Sequence, residues 1–224
     1  MRITKGNRRD PSRASRWPRT TVLVAGAAVL VSAGSGGRAD EPDAAGLAHV
    51  QQIAITVCGT CHGPDGNSTQ PKFPRLASQH APYLAAQLKA FRAQTRGDPD
   101  AIGYMWGMAS QLDDTTIDAL ASHYAEQKGA PSAGRDLALM ARGREIYAHG
   151  IESQGVPACS SCHGPDAHGL QDFPRLAAQH AQYILKQLAS FQSSMRNVAV
   201  MHSVAQNLRL ADMQAVAAYL EAQP

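Results

Sequence analysis

The sequence lacks the features that mark membrane-spanning and β-rich proteins. No apolar run reaches the roughly twenty residues that a membrane-spanning helix needs, and no segment alternates apolar and polar residues long enough to predict strands. Aromatic residues make up only 5% of the chain, and only four of its 224 residues are cysteine. We therefore expect an all-α fold with few large apolar side chains for its length.

The longest apolar run, residues 21–34, follows a basic leader. A run of about fifteen residues has the length of a signal-peptide core. Because small residues surround Ala39, we predict that residues 1–39 are a signal peptide, cleaved after export from the cytoplasm. The alternative is an uncleaved N-terminal anchor, which would keep the protein peripheral to the membrane.

The basic character of the chain belongs to this leader. Residues 1–39 hold eight of the 21 Lys and Arg residues and one of the 18 Asp and Glu residues, which leaves 13 basic and 17 acidic residues. The net charge of the remainder is about −4, so charge gives no argument for binding nucleic acid.

Beyond the leader, one pattern of residues occurs twice, about one hundred residues apart. Each copy contains Cys-x-x-Cys-His-Gly-Pro-Asp, then Phe-Pro-Arg-Leu-Ala, then a Gln-His-Ala segment. The matched segments start at Cys58 and Cys159, at Phe73 and Phe173, and at Gln79 and Gln179. Agreement at so many positions in the same order indicates an internal duplication.

The apolar residues within each copy recur at helical spacing. They are Tyr83, Leu84, Leu88 and Phe91 in the first copy and Tyr183, Ile184, Leu188 and Phe191 in the second. We predict about three helices with long loops in each domain, including helices over residues 44–57 and 137–149 before the cysteine motifs and a last helix capped by Asp113 or Asp114. The predicted domains are residues 40–128 and 138–224, joined by a linker over residues 129–137. Domains this small usually need a further source of stability besides their apolar core, which a buried cofactor can supply.

The Cys-x-x-Cys-His motif is the attachment signature of c-type haem. The two thiols add to the porphyrin vinyl groups, and the next imidazole reaches the iron from the same side. We expect two covalently attached haem c groups, held by Cys58, Cys61, Cys159 and Cys162, with His62 and His163 as proximal iron ligands. A thioredoxin-type dithiol would need a βαβ context, adjacent Cys and His are awkward ligands for one zinc ion, and disulfides would leave the repeated His unexplained.

The sixth iron ligand is expected to be a methionine that both copies place at the same distance before the final helix. Met105 and Met201 each lie seven residues before an equivalent leucine, so we predict that they are the axial ligands. In that register the counterparts of Met108 and Met195 are Val204 and Pro99. Those two methionines are therefore expected to pack against the haem or the core.

His80 and His180 are also duplicated, which makes bis-histidine ligation an alternative. They lie only 18 and 17 residues after the proximal histidines, at the start of a predicted helix. A role at the helix terminus or near the haem propionates suits that position better.

The Phe-Pro-Arg-Leu-Ala segment offers two further candidate roles. The carbonyls of Pro74 and Pro174 could accept the Nδ1–H of the proximal histidines, the alternative being a simple loop turn. The guanidiniums of Arg75 and Arg175 could pair with haem propionates, the alternative being exposure to solvent.

This ordered double set of motifs resembles the cytochrome c4 family over essentially the whole chain after the leader. The resemblance implies two class I cytochrome c folds whose haem edges face each other across a pseudo-twofold interface. It also implies a periplasmic electron carrier with redox protein partners, such as a bc1-type donor and a cbb3-type terminal oxidase. Arg75 and Arg175 depart from the lysine that is frequent there, which leaves the potentials and the partner surface open.

Electron transfer without an enzymatic reaction is the function we expect. A dihaem peroxidase would need an open sixth position on one haem, which two methionines at equal spacing argue against. The haem subunit of a dehydrogenase complex is the stronger alternative, because its catalytic partner would be a separate chain.

Overall fold

A computed structural model describes residues 44–131, 136–170 and 172–224. The first half consists of short helices with two π-helical turns between them. Its helices are α1 (Ala44–Ile53), α2 (Gly59–His62), α3 (Ala81–Arg92), α4 (Trp106–Ala109) and α5 (Asp114–Glu126), and its π turns are Ala54–Cys58 and Ala101–Met105.

The second half repeats this arrangement with one more regular helix. Its elements are α6 (Leu137–His149), a 3₁₀ turn (Glu152–Gln154), α7 (Ser160–His163), α8 (Ala181–Gln192), α9 (Ala199–Ala205) and α10 (Leu210–Glu221). The only extended pairing among the described residues is an isolated bridge between Ile151 and Val156. The all-α prediction is confirmed.

Local sequence explains where the longer helices begin and end. Asp113 accepts a hydrogen bond from the backbone N–H of Thr116 and caps α5, as predicted. Asp136 caps α6 in the same way, through the N–H groups of Ala138 and Leu139. Helix α6 stops at Gly150, whose φ of +74° suits glycine.

The two lead-in helices differ from each other. In the first half, α1 passes through the π turn directly into α2, so the predicted helix over residues 44–57 changes its winding after Ile53. In the second half, α6 has the predicted bounds of residues 137–149, but a loop with the 3₁₀ turn separates it from α7.

Each half has its own apolar core. In the first, Val50 and Ala54 pack with Leu84, Leu120 and Tyr124, beside a smaller cluster that contains Phe91. The second core is larger and extends from α6 to α10, and its members include Ile146, Tyr147, Ile184, Leu188, Met213, Val216 and Leu220.

Helices α6 and α10 cross at Gly143. A Cβ atom built on this residue would lie 2.0 Å from the carbonyl oxygen of Ala215. Only glycine therefore permits the two backbones to approach this closely.

Both halves belong to one compact unit, and two glutamines hold them together by reciprocal bonds. Gln79 Nε2 donates to the Arg175 carbonyl at 2.8 Å, and Gln79 Oε1 accepts from the Arg175 N–H at 2.9 Å. Gln179 makes the same two bonds to the backbone of Arg75, both at 2.9 Å. The contact is pseudo-twofold because equivalent residues exchange equivalent bonds.

Two regions of the predicted organisation fall outside the described residues. They are the signal peptide over residues 1–39 and the middle of the linker, from residue 132 to 135. At the start of the linker, the N–H of Gly129 donates to Ser78 Oγ at 2.9 Å. In the part of the chain that the structure describes, no helix combines the length and apolar character needed to cross a membrane.

Candidate haem sites

The first Cys-x-x-Cys-His motif lies where the π turn meets α2. Cys58 ends the turn and packs against the first core, and Cys61 lies one helical turn further on. Residues three apart on a helix lie on the same face. The thiols are free, so the disulfide alternative does not apply to this structure.

The second motif occupies the same local structure on α7. Cys159 is the N-cap of the helix and packs against the second core. Burial raises the pKa of the Cys159 thiol to about 11 and also raises that of Cys58. Cys162, like Cys61, is partly buried.

Both proximal histidines are buried and held by a proline carbonyl. His62 is 7% exposed and His163 is 6% exposed. The Nδ1 atom of His62 lies 2.8 Å from the Pro74 oxygen, and that of His163 lies 3.0 Å from the Pro174 oxygen. The expected carbonyl role of the two prolines is confirmed.

This contact fixes which ring nitrogen can bind a metal. A carbonyl oxygen can only accept, so Nδ1 carries the proton and Nε2 keeps its lone pair. Burial lowers the pKa of both His62 and His163, against the opposing effect of the proline carbonyls. The neutral, ligating form of each imidazole is thereby favoured.

An aromatic ring completes the setting of each histidine. The rings of His62 and Phe73 meet edge to face, with centroids 6.2 Å apart, and those of His163 and Phe173 do so at 6.0 Å. The Phe-Pro pair thus orients the imidazole by ring packing and by a hydrogen bond. The phenylalanine role was missed from the sequence, although its duplication next to the proline pointed to it.

The four candidate methionines separate into two pairs by burial. Met105 packs against the cluster that contains Phe91, and Met201 packs against the second core. Met108 is 47% exposed and Met195 is 54% exposed. The burial of Met105 and Met201 agrees with the pair selected by the repeat, and their ligation stays a prediction.

The structure corrects the register used for Met195. Arg96 and Arg196 take equivalent places between the two domains, where each donates to a glutamine of the other half. Met195 therefore corresponds to Thr95, and its pairing with Pro99 was wrong. The copies differ by four residues between these arginines and the axial methionine candidates.

The duplicated histidines 80 and 180 are N-caps of α3 and α8, so the expected helix-terminal position is confirmed. His180 also reaches the other domain, where its Nε2 lies 2.8 Å from the Ser68 carbonyl oxygen. Its Nδ1 lies 3.5 Å from Glu221 Oε1 of its own domain. Both ring nitrogens of His180 are thus occupied by protein atoms, which argues against bis-histidine ligation there.

The guanidiniums of Arg75 and Arg175 donate to backbone oxygens. Arg75 Nη1 bonds to the Ala130 carbonyl at 2.9 Å, and Arg175 Nη2 bonds to the Pro224 oxygen at 2.8 Å. Arg75 Nε is buried without a protein partner. A cavity of about 10 Å³ beside it, lined in part by Asn67 and Gln79, has room for one water molecule.

These residues fit two haem c groups. Each motif offers two unpaired thiols one helical turn apart and an imidazole whose Nε2 lone pair is available. An apolar core with a partly buried methionine lies in the same domain. Two helical domains with this set of donors define a dihaem c-type cytochrome.

Comparison with known proteins identifies the family. The cytochrome c family model matches residues 47–127 and 140–223. Cytochrome c4 of Stutzerimonas stutzeri is 39% identical over 189 residues, which cover 80% of this chain and 90% of that protein. The structure of cytochrome c4 from Acidithiobacillus ferrooxidans matches with a TM-score of 0.71 and 41% identity, over 74% of this chain and 98% of that one. The chain belongs to the cytochrome c4 family, carries two covalently bound haem c groups and transfers electrons.

One further relative bears on the partner. A protein of Thiomonas intermedia named thiosulfate dehydrogenase electron acceptor is 37% identical over 174 residues, which cover 75% of this chain and 78% of that protein.

Proposed function

We propose that this protein is a periplasmic electron carrier in which both irons have His/Met ligation. His62 and Met105 ligate the first iron, and His163 and Met201 ligate the second. The observation that carries this assignment is the matched pair of donors in each domain. A buried imidazole is fixed through Nδ1 in both, and the methionine that the repeat selects packs against the core in both.

The bound haem supplies one-electron redox chemistry at its iron. The residues that hold the haem set its reduction potential. The Pro74 and Pro174 carbonyls make each imidazole more electron-rich, whereas a methionine thioether is a soft donor that favours the reduced iron. If His and Met side chains held each iron in this way, they would leave no place there for a substrate, and the role that fits is electron transfer without an enzymatic reaction.

The partners that fit this role are redox proteins at the membrane surface. The family resemblance favours a bc1-type donor and a cbb3-type oxidase as acceptor. A second candidate function is electron acceptor of a thiosulfate dehydrogenase-like enzyme, which the relative in Thiomonas intermedia favours. In both cases the export signal predicted over residues 1–39 would bring the protein to the periplasm.

The ligand assignment is tested by Met105→Ala in the full-length haem-loaded protein. Loss of the thioether should lower the midpoint potential of one haem by more than about 59 mV, a tenfold change in a one-electron equilibrium. It should also remove about half of the near-infrared sulfur-to-iron band. The matched control is the exposed Met108→Ala, which should leave both signals in place.

Spectroelectrochemical titration with near-infrared absorption measures both effects. A Met105→Ala protein with an unchanged band would rule out this ligand. The partner question is separate and is answered by stopped-flow kinetics. Rapid oxidation by a cbb3-type oxidase supports the first candidate, whereas rapid reduction by thiosulfate dehydrogenase with no transfer to the oxidase supports the second.

A further inference from the structure

The segment that leads to the first axial methionine is closed by a side-chain hydrogen bond. Trp106 directly follows Met105, and its indole Nε1–H donates to the carbonyl oxygen of Arg96 at 2.8 Å. Both Met105 and Trp106 pack against the cluster that contains Phe91. The guanidinium of Arg96 lies over the same phenylalanine, with its central carbon 4.7 Å from the ring centroid. The indole therefore fastens the end of this segment to its beginning.

The second domain fastens its axial segment at a different place. His202 directly follows Met201, and its Nδ1 atom lies 2.9 Å from the carbonyl oxygen of Phe191, in the last turn of α8. A carbonyl oxygen can only accept, so the imidazole donates in this contact. Both ends of the second tether thus belong to the second domain.

The two segments also differ in length. Met105 lies nine residues after Arg96, whereas Met201 lies five residues after Arg196. The shorter copy has Val198 two residues after its arginine, in place of an aspartate. Because a longer segment loses more conformational entropy when its ends are held together, a bond that closes the segment matters more in the first domain.

The residue that accepts from the indole is itself held by the second domain. Arg96 donates through Nη2 to Gln187 Oε1 at 3.0 Å and to the Tyr183 hydroxyl at 3.3 Å, and through Nε to Asp98 at 2.7 Å. Arg196 donates to the same Gln187 oxygen at 2.8 Å, and we call these five residues the arginine cluster. Burial would raise the pKa of Asp98, yet the guanidiniums of the two arginines hold it below its usual value. Arg96 is 8% exposed and Gln187 is 5% exposed, so this contact is shielded from water.

We infer that Trp106 is a positioning residue for the first axial methionine, and that through Arg96 it makes the hold on this ligand depend on the contact between the domains. The inference rests on the Met105 ligation of the proposed function. The contacts run from Met105 to the adjacent indole, from the indole to the Arg96 backbone, and from the Arg96 side chain to Gln187 of the second domain. The second tether ends on α8 of its own domain instead.

Imidazole binding to the oxidised holoprotein tests the tether, because imidazole enters an iron only after its methionine has left. The variant Trp106→Phe keeps an aromatic ring and removes the N–H. The hyperfine-shifted methyl resonance of each axial methionine, assigned by its loss in Met105→Ala or Met201→Ala, shows by NMR which haem the imidazole enters. Apparent affinity follows the fraction of molecules with an open site. The first haem of Trp106→Phe should bind imidazole at about three- to tenfold lower concentration than in the wild type, as expected for one lost hydrogen bond.

The mirror-image variant is His202→Phe, which removes the other tether and should affect the second haem alone. A Trp106→Phe protein that binds imidazole as the wild type does, or with an equal change at both haems, would overturn the positioning role. If Met105→Ala instead leaves both methionine resonances in place, the proposed ligation itself is wrong. The two failures are therefore distinguishable.

The link to the domain contact is tested by Gln187→Leu. Both Arg96 and Arg196 lose an acceptor, but only Arg96 accepts from a tether, so imidazole affinity should rise at the first haem only. In a Trp106→Phe background the same change should add little, because the link is already broken. Effects that multiply independently, or that appear at both haems, would overturn the link. The control Gln51→Leu, at an exposed position on α1, should match the wild type.

Discussion

Asp98 shows how much one residue can contribute to the contact between the domains. It accepts from Arg96 Nε, and it also accepts from Gln187 Nε2 of the other domain at 3.3 Å. Its carboxylate lies in the segment where the first copy is four residues longer than the second. The longer segment therefore places a charge between the two halves.

The lowered pKa of Asp98 gives a pH prediction. A carboxyl whose pKa is lower in the folded than in the unfolded state stabilises the fold above the unfolded pKa, about 4 for aspartate. This stabilisation is lost as pH falls through the folded value. We expect the free energy of unfolding of the wild type to exceed that of Asp98→Asn by a constant amount above about pH 5.

Below about pH 4 the difference should shrink, because protonation of Asp98 removes the same charge that the substitution removes. Denaturant titrations of both holoproteins at several pH values measure this. Parallel curves down to the lowest pH would show that Asp98 does not titrate in this range. Asp118→Asn, at an exposed surface pair with Lys89, is the control and should follow the wild type.

At the scale of helices, the crossing of α6 and α10 depends on Gly143, which has no side chain. Gly143→Ala would force a methyl group into the carbonyl of Ala215, and a backbone atom cannot move aside as a flexible side chain can. We expect a loss of about 3 kcal/mol of unfolding free energy, at the upper end of what overpacked cores show. The measurement is chemical denaturation of the haem-loaded protein, followed by far-ultraviolet circular dichroism.

The neighbouring substitution Arg144→Ala is the control for this helix. Arg144 is exposed on α6, so its loss should change the unfolding free energy by less than about 0.5 kcal/mol. Equal stability of the Gly143→Ala and Arg144→Ala proteins would mean that the helices can separate at little cost.

Helical spacing predicted the longer helices, but not the short helices and π turns between them or all of the surroundings of the longer ones. It placed α6 correctly, as well as the capped start of α5, because caps and apolar periodicity act over a few residues. The spacing put Tyr83 on the core face, whereas the hydroxyl of Tyr83 accepts a hydrogen bond from Arg196 across the interface. Pairings between residues 87 to 113 positions apart leave no local signal, so the arginine cluster and the true counterpart of Met195 came only from the structure.

At the scale of the whole molecule, Gln79 and Gln179 should determine how firmly the domains dock. Gln79→Ala leaves the backbone N–H and carbonyl of Arg175 without their partners, which costs about 1–3 kcal/mol for each group that stays buried. We expect the variant to unfold at lower denaturant, with the two domains unfolding in separable steps. Haem absorbance and circular dichroism recorded together would show this.

The equivalent substitution Gln179→Ala should have a similar effect, since the bonds are reciprocal. The double variant should lose less than the sum if either change alone already opens the contact. Gln51→Ala, exposed on α1, is the control. A single unfolding step at the wild-type midpoint in Gln79→Ala would contradict this view of the interface.

The exchange of bonds between Gln79 and Gln179 is what an isologous homodimer displays, with one patch used against itself. The two subunits of a true homodimer have the same sequence, so a substitution in that patch always appears on both sides of the axis. Joining the two copies in one chain removes that restriction. Asp98 on one side and Val198 on the other are the outcome, a single carboxylate in a cluster that strict symmetry would give two or none. The fused chain can thus make its two redox centres unequal by changing one codon at a time.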